Sequence, residues 1–600
     1  MTMIVSPAEP IHFATASGRW VLVAAILGSG LAGIDATVVN VALPAIGRDL
    51  DTDFAALQWT VTAYSLSLAS LILLGGSLGD RFGRRRVFVI GVVWFALASL
   101  LCGLAPSAGL LIAARALQGV GGALLTPGSL AMIQASFAPE DRGRAIGAWS
   151  GLGGVATAIG PFVGGYLVET VSWRWVFLIN APLAAIVVAV AVRHVPETRD
   201  ASATGRIDAL GALLGAVGLG GITYALIETP NRGAGSLGVS VPGLLGVAAL
   251  VAFFVVERTI RAPMLPLGIF SSRQFSAANA VTFVVYGAFG GVLFLLVVAL
   301  QVVAGFSPIV AGTALLPVTA MMLLLSARSG ALAARIGPRL QMSVGPLVVA
   351  AALLLMLRIG PDANYLTDVL PATLVLGLGL ATLVAPLTAT ALAAADDEHA
   401  GVASGVNNAV ARAAGLLAVA VLPAAAGLSG AVFEDPVRFG GGFHTALLIS
   451  VALLIAGGAL AAGVIRNDVI RNDVDGTTAG PDVQHTPGHP LMYCAVGAPP
   501  LLVRDLATAP CSHLADLPTD IPPASEGCLT CLAEGTTWVS LRWCLSCGHV
   551  GCCDSSPRRH ATAHAEDSGH PVVRSLEPDE QWFYCYVDDV VFELAGSVHA

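Results

Sequence analysis

A chain of 600 residues, 56% of them hydrophobic and only 12% charged, is excluded from being a soluble globule, whose charged share is about a quarter. Its net charge of −9 gives no footprint for nucleic acid, and the absence of a Walker-type phosphate loop excludes ATP as the source of work. All thirty basic residues are arginine, which points to a GC-rich, bacterial genome.

The first twelve residues lack the charged start and cleavage site of a secretory signal. From Trp20 to about Ile465, apolar blocks of about 20 residues follow one another, each long enough to cross a ~30 Å hydrocarbon core. Fourteen begin near Trp20, Leu57, Val87, Gly109, Ala145, Trp175, Ile207, Val239, Ala277, Ile309, Gln341, Leu370, Gly401 and Phe443. The basic loops follow even-numbered spans: Arg81 and Arg84 to Arg86, then Arg142 and Arg144, then Arg193, Arg199 and Arg206, then Arg258, Arg261 and Arg273, then Arg335 and Arg339. Opposite loops carry mostly single arginines, such as Arg48, Arg232 and Arg438. Positive loops stay cytoplasmic, so a multi-pass plasma-membrane protein with both termini in the cytoplasm is expected.

Within the spans, ionisable side chains cost several kcal/mol unless paired or neutralised, and they mark function by default. Asp35 in span 1 precedes Thr37, Val38, Val39 and Asn40, a stretch expected to face a cavity. Burial would raise its proton affinity and suit it to carrying a proton between the two sides. Arg115 and Gln118 share one face of span 4 and are candidates to bias that acid or to hold the span. Arg412 in span 13 is a weaker candidate, since a side chain of that length can simply snorkel. After span 2, "GSLGDRFGRRR" offers a conformational latch built from Gly76, Asp80, Arg81, Gly83, Arg84 and Arg85, although basic residues there also hold topology. The stretch returns as "GALAARIGPRL", with Gly330, Leu332, Arg335, Gly337 and Arg339 matching Gly76, Leu78, Arg81, Gly83 and Arg85, and with Ala334 in place of Asp80. Both copies fall in basic loops, so two halves of parallel orientation follow, as in transporters with a midplane site. Gly160, Pro161, Gly164 and Gly165 are expected to break or thin span 5 as a hinge and to let a neighbouring helix approach closely. Trp173 and Trp175 suit an interfacial belt, and Cys102 suits packing.

After Arg466 the apolar blocks stop. A linker over 466–510 opens with "VIRND" twice in tandem, a copy to which no function is attached. Eight of the ten cysteines lie between Cys511 and Cys585, on the expected reducing side, where metal is a stronger reading than disulfides. Cys528 and Cys531, Cys544 and Cys547, then Cys552, Cys553, His560, His564 and His570 have the spacing of structural zinc knuckles.

Two resemblances gather these readings. "GSLGDRFGRRR", together with "LAGIDATVVNVALP", "RALQGVGGA", "GLGGVATAIGPFVGG" and "WRWVFLINAPL", is similar to the motif set of the major facilitator superfamily and its fourteen-span drug:proton antiporter branch, with Ala156 where that pattern usually has glycine. "CLTC", "CLSCGHVGCC", "HATAH", "SGHP" and "WFYCY" resemble the ubiquitin-hydrolase-type (UBP) zinc finger. That resemblance implies one zinc on Cys528, Cys531, Cys552 and His560, and another on Cys544, Cys547, His564 and His570. It also implies a third involving Cys511, His513 and Cys585, for which a late cysteine is lacking. It makes Trp582, Tyr584 and Tyr586 candidate walls for a peptide or protein C-terminus, but Asp554 stands where the family's carboxylate-binding arginine would be. The fold expected is therefore an all-α membrane protein of major facilitator type, with fourteen transmembrane helices in two parallel-repeat halves over 1–465, and a small α+β zinc finger over 511–594. Its expected function is proton-coupled antiport of small hydrophobic compounds out of the cell, without enzymatic activity, in a lipid bilayer. The alternative is a membrane-anchored receptor or sensor whose finger binds a protein C-terminus and whose transport is lost.

Overall fold

The computed structural model describes residues 11–199, 208–260, 263–394, 400–430, 435–467, 501–503, 513, 521–553, 556, 558–577, 582–588 and 590–594. They form two compact units, dividing at Thr478. In the first unit every backbone polar group at membrane depth must be satisfied within its own segment, and the apolar blocks accordingly become helices. Fourteen are long and apolar enough to span: Ala16–Asp49, Phe54–Phe82, Arg84–Gly103, Ala108–Ser136, Asp141–Thr170, Trp175–His194, Ala209–Arg232, Leu237–Thr259, Arg273–Val302, Pro308–Ile336, Pro338–Met356, Tyr365–Ala393, Ala403–Ala425 and Pro436–Val464. Short polar side chains start several of them: Asp53 accepts from the Ala56 amide, Ser107 from Leu110, Ser272 from Phe275, and Asp435 from Val437 and Arg438. These caps satisfy amides that no helical carbonyl reaches.

The packing repeats. Span 2 lies on span 4, span 3 on spans 4 and 6, and span 1 on span 5; spans 10 and 12, 11 with 12 and 14, and 9 with 13 pair in the same way. The repeat thus runs over spans 1–6 and 9–14, and spans 7 and 8 form an inserted pair, with span 7 resting against spans 2 and 13. The duplicated loops take the same form: Gly83 and Gly337 each end one helix and begin the next at positive φ, +108° and +84°, a conformation that glycine adopts at little cost.

The halves meet at the end away from the basic loops. There Gln58 donates to the Val419 carbonyl at 2.7 Å, Gln301 donates to the Val41 carbonyl at 3.0 Å, and the Ile309 amide donates to the Glu169 carboxylate at 3.1 Å. Phe54 packs on Phe294 and Phe439, within a core that runs continuously across both halves. Toward the basic loops, the core built on Val21, Phe88, Met132 and Val187 belongs to the first half alone.

Two expectations need correction. Span 5 is not broken at Gly160 and Pro161, since it runs unbroken from Pro139 to Thr170; the close approach expected of its glycines is present. A Cβ at Gly160 or Gly164 would meet the backbone of Ile34 or Val38 in span 1, and one at Gly165 would stand 2.6 Å from the Ile309 Cα in span 10. Trp173 is not an interfacial ring: it is buried and donates from its indole N–H to Asp49 at 3.0 Å, whereas Trp175 is exposed as expected.

The second unit is a six-stranded sheet in the order β1-β6-β5-β4-β2-β3: β1 (Leu501–Val503), β2 (Leu541–Cys544), β3 (Val550–Cys552), β4 (Val572–Ser575), β5 (Trp582–Cys585) and β6 (Val590–Leu594). β1 joins β6 in parallel and the remaining neighbours pair antiparallel. β1 lies upstream of Cys511, in the stretch expected as linker. Helices Leu529–Glu534 and His560–Ser568 each end on a left-handed glycine, Gly535 and Gly569, as helix C-termini favour.

Candidate transport site and metal centres

Asp35 and Arg115 meet in the interior of the first half. Their side chains are 0% and 1% exposed, and Arg115 donates to one Asp35 oxygen at 2.5 Å. The other Asp35 oxygen accepts from Gln118 at 2.8 Å and from Asn180 at 3.0 Å. Arg115 also donates from Nε to the Thr60 carbonyl at 3.0 Å and from Nη1 to the Gln118 side-chain carbonyl at 2.6 Å. Ser99 ties Gln118 and Asn180 together, accepting from each and donating to the Phe177 carbonyl. A buried ion pair endures only when its spare donors and acceptors are matched, and here spans 1, 2, 3, 4 and 6 each contribute to the matching. Sequence reasoning identified Asp35, Arg115 and Gln118. It missed Ser99 and Asn180, whose signal was present: Asn180 stands inside "WRWVFLINAPL", read only as a motif.

The expected cavity face of span 1 is displaced by a turn. Val38 and Val39 are fully packed, and the Thr37 hydroxyl is occupied by the Gly33, Ile34 and Thr157 carbonyls. A cavity of 360 Å³ instead opens beside Ala32, Gly33 and Ala36, with Tyr64, Thr126, Trp149 and Thr157 from the first half and Asn408 and Arg412 from span 13. Asp35 does not line it. Tyr64 does, and the Arg115 guanidinium lies 4.4 Å from the centre of its ring, so this tyrosine joins the cavity to the ion pair. Arg412, the weaker candidate, lines the cavity.

At the basic-loop end, Asp80 accepts from Arg84 at 2.8 Å. Arg85 reaches further: its side chain donates to the Val195 carbonyl at 3.0 Å and faces Glu197 at 3.5 Å, and its amide donates to Glu197 at 3.1 Å. Glu197, unidentified from sequence, also crowds Gly83, where a Cβ would stand 2.6 Å from its carboxylate. In the second half the Arg339 amide donates to Asn467 at 3.1 Å, and Asn467 crowds Gly337 as Glu197 crowds Gly83. Asn467 comes from the first of the tandem "VIRND" copies, where Gln274 also exchanges two hydrogen bonds with the Arg466 backbone; the second copy lies outside the described residues. Arg81 lies over the Phe82 ring, and a Cβ at Gly76 would stand 3.7 Å from Pro127, in ordinary contact.

In the tail, Cys528, Cys531, Cys552 and His560 form one cluster and Cys544, Cys547, His564 and His570 another, with all ligand atoms in each within 4.8 Å of one another. Cys531 to Cys552 is 3.6 Å, and the His560 Nδ1 stands 3.2 to 3.6 Å from the three sulfurs. Donors about 2.3 Å from a shared tetrahedral centre stand about 3.8 Å apart, so the set fits zinc. The knuckle turns are built locally: the Gly548 amide, at φ +79°, donates to Cys544 at 2.9 Å, while Cys528 caps the helix that carries Cys531. Burial, with His549 and His570 close by, holds His564 below the ordinary histidine value, which keeps its ring nitrogen available as a ligand. Its Nε2 is 3.2 Å from Cys547. A third cluster joins His513 and Cys585 to Asp588, unidentified from sequence, at 2.9 Å from His513 and 3.5 Å from Cys585; Cys511 and Asp554 lie outside the described residues. Trp582 and Tyr584 are 3% and 9% exposed, so they pack in the sheet rather than standing as open walls, with Arg542 stacked 4.4 Å from the Trp582 ring centre. Tyr586 is half-buried against Tyr584.

Comparison with known proteins gives two matches to family models: the Major Facilitator Superfamily over residues 25–419, and the Zn-finger in ubiquitin-hydrolases and other protein over residues 528–593. Among similar proteins, the puromycin resistance protein pur8 of Streptomyces alboniger is 39% identical, over 69% of this chain and 84% of its own length. The methylenomycin A resistance protein of Bacillus subtilis is 35% identical over 68% of this chain and 87% of its own. The tetracenomycin C resistance and export protein of Streptomyces glaucescens is 36% identical over 67% and 74%. Among solved structures, the peptide transporter POT in complex with sulfate covers 78% of this chain and 99% of its own at a TM-score of 0.57 and 16% identity. A bacterial homolog to the human lysosomal transporter Spinster covers 77% and 99% at 0.55 and 16%.

Proposed function

Because the chain belongs to the major facilitator superfamily, and its relatives include resistance and export proteins, we propose that it expels small drug-like compounds by exchanging them for protons at Asp35. It is a transporter, not an enzyme, with a zinc finger fused behind its membrane part. The observation that carries proton coupling is the buried pair of Asp35 and Arg115. Deprotonated, Asp35 accepts three hydrogen bonds, one of them charge-assisted, and holds spans 1, 4 and 6 together. A proton arriving at either oxygen removes an acceptor and weakens the hold on Arg115. Each protonation state therefore favours a different packing of these spans, which a coupled carrier requires. Tyr64, touching Arg115 on one side and the cavity on the other, is the route by which a bound substrate senses that change.

Topology supports an orientation in which the basic loops, both termini and the finger face the cytoplasm. The latch of Asp80, Arg84, Arg85 and Glu197 then ties spans 2, 3 and 6 on that side, and Gly165 of span 5, packed on Ile309 of span 10, is the contact about which the halves rock. Zinc held by Cys528, Cys531, Cys552 and His560, and by Cys544, Cys547, His564 and His570, would fold the finger, which has too little apolar core to be stable alone. His513, Cys585 and Asp588 are candidates for a third ion. The finger's service is regulation or recruitment, with a peptide or protein end as its partner.

The test uses everted membrane vesicles, in which an imposed pH gradient drives uptake of a transported dye. Asp35→Asn inserts and folds but loses gradient-driven uptake. Uptake by the mutant with unchanged pH dependence would remove Asp35 from the coupling step.

A further inference from the structure

Proton coupling leaves one charge in the cavity unused. Arg412 lies near the middle of span 13, Ala403–Ala425, where an unmatched cation is costly and marks a ligand or ion path. Its side chain donates to Asn408 at 3.2 Å, a neutral partner that orients the guanidinium without cancelling its charge. Of the described residues that line the cavity, none is acidic. Asp35, in the adjoining interior, has both oxygens engaged by Arg115, Gln118 and Asn180. A cationic substrate would thus meet a like charge with no counter-ion among the described residues that line the cavity.

The rest of the lining completes an anion site. The Tyr64 hydroxyl is buried, belongs to a side chain only 3% exposed, and makes no hydrogen bond; such an orphan costs about 1–3 kcal/mol unless a ligand satisfies it. The Thr126 hydroxyl is buried without a partner as well. Trp149 presents a ring fixed by its N–H bond to Ser29 at 3.0 Å, while Ala32, Ala36 and Leu68 supply apolar wall. The 360 Å³ of space falls in the range of small-molecule pockets.

We propose that the exported compounds are organic acids: an apolar, aromatic body against Trp149 and Leu68, and a carboxylate or acidic phenol that pairs with Arg412 and accepts from Tyr64. This rests on the exporter reading and names its substrate class. Arg412 belongs to the second half and Tyr64 and Trp149 to the first, so the anion also bridges the two parts that must move.

Three xanthene dyes of one ring system test it: fluorescein, an anion; rhodamine B, a zwitterion; and the cationic ethyl ester of rhodamine B. Binding is measured on the full chain in detergent, by anisotropy. Wild type binds fluorescein at least about tenfold more tightly than the ester. Arg412→Gln abolishes that preference by weakening fluorescein alone, and Arg412→Lys keeps part of it. Tyr64→Phe weakens fluorescein several-fold, leaves the ester unchanged, and serves if Arg412→Gln fails to give a monodisperse protein. Equal or tighter binding of the ester to wild type, or equal weakening of all three dyes by Arg412→Gln, overturns the proposal. The same dyes in everted vesicles separate it from the reading beneath: an acid preference in binding without gradient-driven uptake refutes the exporter and leaves the anion site standing, whereas uptake of the ester in preference to fluorescein refutes the anion site and leaves the exporter.

Discussion

Asp35 and Arg115 show what single residues disclose. Both were legible because a charge inside an apolar span demands an explanation. Ser99 and Glu197 were not, because a hydroxyl or a loop acid is ordinary until its neighbours are known, and Asn180 stood in a quoted motif without being singled out. The aromatic candidates failed for a related reason: sequence gives the type of ring but not its exposure, and Trp173, Trp582 and Tyr584 are all packed away. The ligand clusters were legible since cysteine spacing is itself geometry, but Asp588 has no spacing rule and emerged only from its 2.9 Å approach to His513. Cys528→Ser and Cys544→Ser are each expected to release one equivalent of zinc from the full-length protein, because they fall in different clusters; with binding free energies on the order of 10 kcal/mol per structural site, the intact cluster keeps its own ion. Atomic absorption of the purified variants checks this, and a single mutation that empties both sites would contradict it. Asp588→Asn leaves the metal content unchanged if two ions bind and lowers it by one if there are three.

At the scale of elements, the chain reuses one device. A glycine at positive φ joins two spans, and a residue from the end of the half leans on it: Glu197 at Gly83, Asn467 at Gly337. The repeat of the loop was legible, but not its partner, since Glu197 and Asn467 lie more than a hundred positions away from the loops they cap. The second copy has lost both acids, Ala334 replacing Asp80 and Asn467 standing where Glu197 stands, so among the described residues only the first half holds its loop by charge. Gly83→Val is expected to cost about 1–3 kcal/mol of local strain and to displace Glu197, slowing dye uptake several-fold with little change in dye binding; loss of affinity at normal rates would refute this. The span 5 glycines invite a second test. Gly165→Val should wedge span 5 from span 10, and the yield of a disulfide between cysteines placed at Glu169 and Ile309 should drop several-fold. An unchanged yield would mean that the two spans do not depend on this approach.

The whole molecule was the most legible level, because fourteen apolar blocks, alternating basic loops and a cysteine-rich tail are written in composition. Where the membrane part ends was not. The tandem "VIRND" looked disposable, yet its first copy packs Ile465, pairs Arg466 with Gln274 and places Asn467. Truncation after Thr478 should therefore leave export at least partly intact, whereas truncation before Arg466 should lower the thermal stability of the membrane part, measured by fluorescence-detected size exclusion. The ion pair has a further consequence, for membrane voltage. Asp35 and Arg115 together are neutral, and gain one positive charge when a proton enters. If one proton enters per turn of the cycle, export of a cation moves no net charge, export of a neutral compound moves one, and export of an organic acid moves two, all in the direction that an inside-negative membrane drives. At about 2.3 kcal/mol per charge for each 100 mV, an acid held by Arg412 would be expelled with twice the electrical force available to its ester of zero charge. Collapsing the potential with valinomycin and potassium, at a fixed pH difference, should accordingly slow the acid most and the cation least.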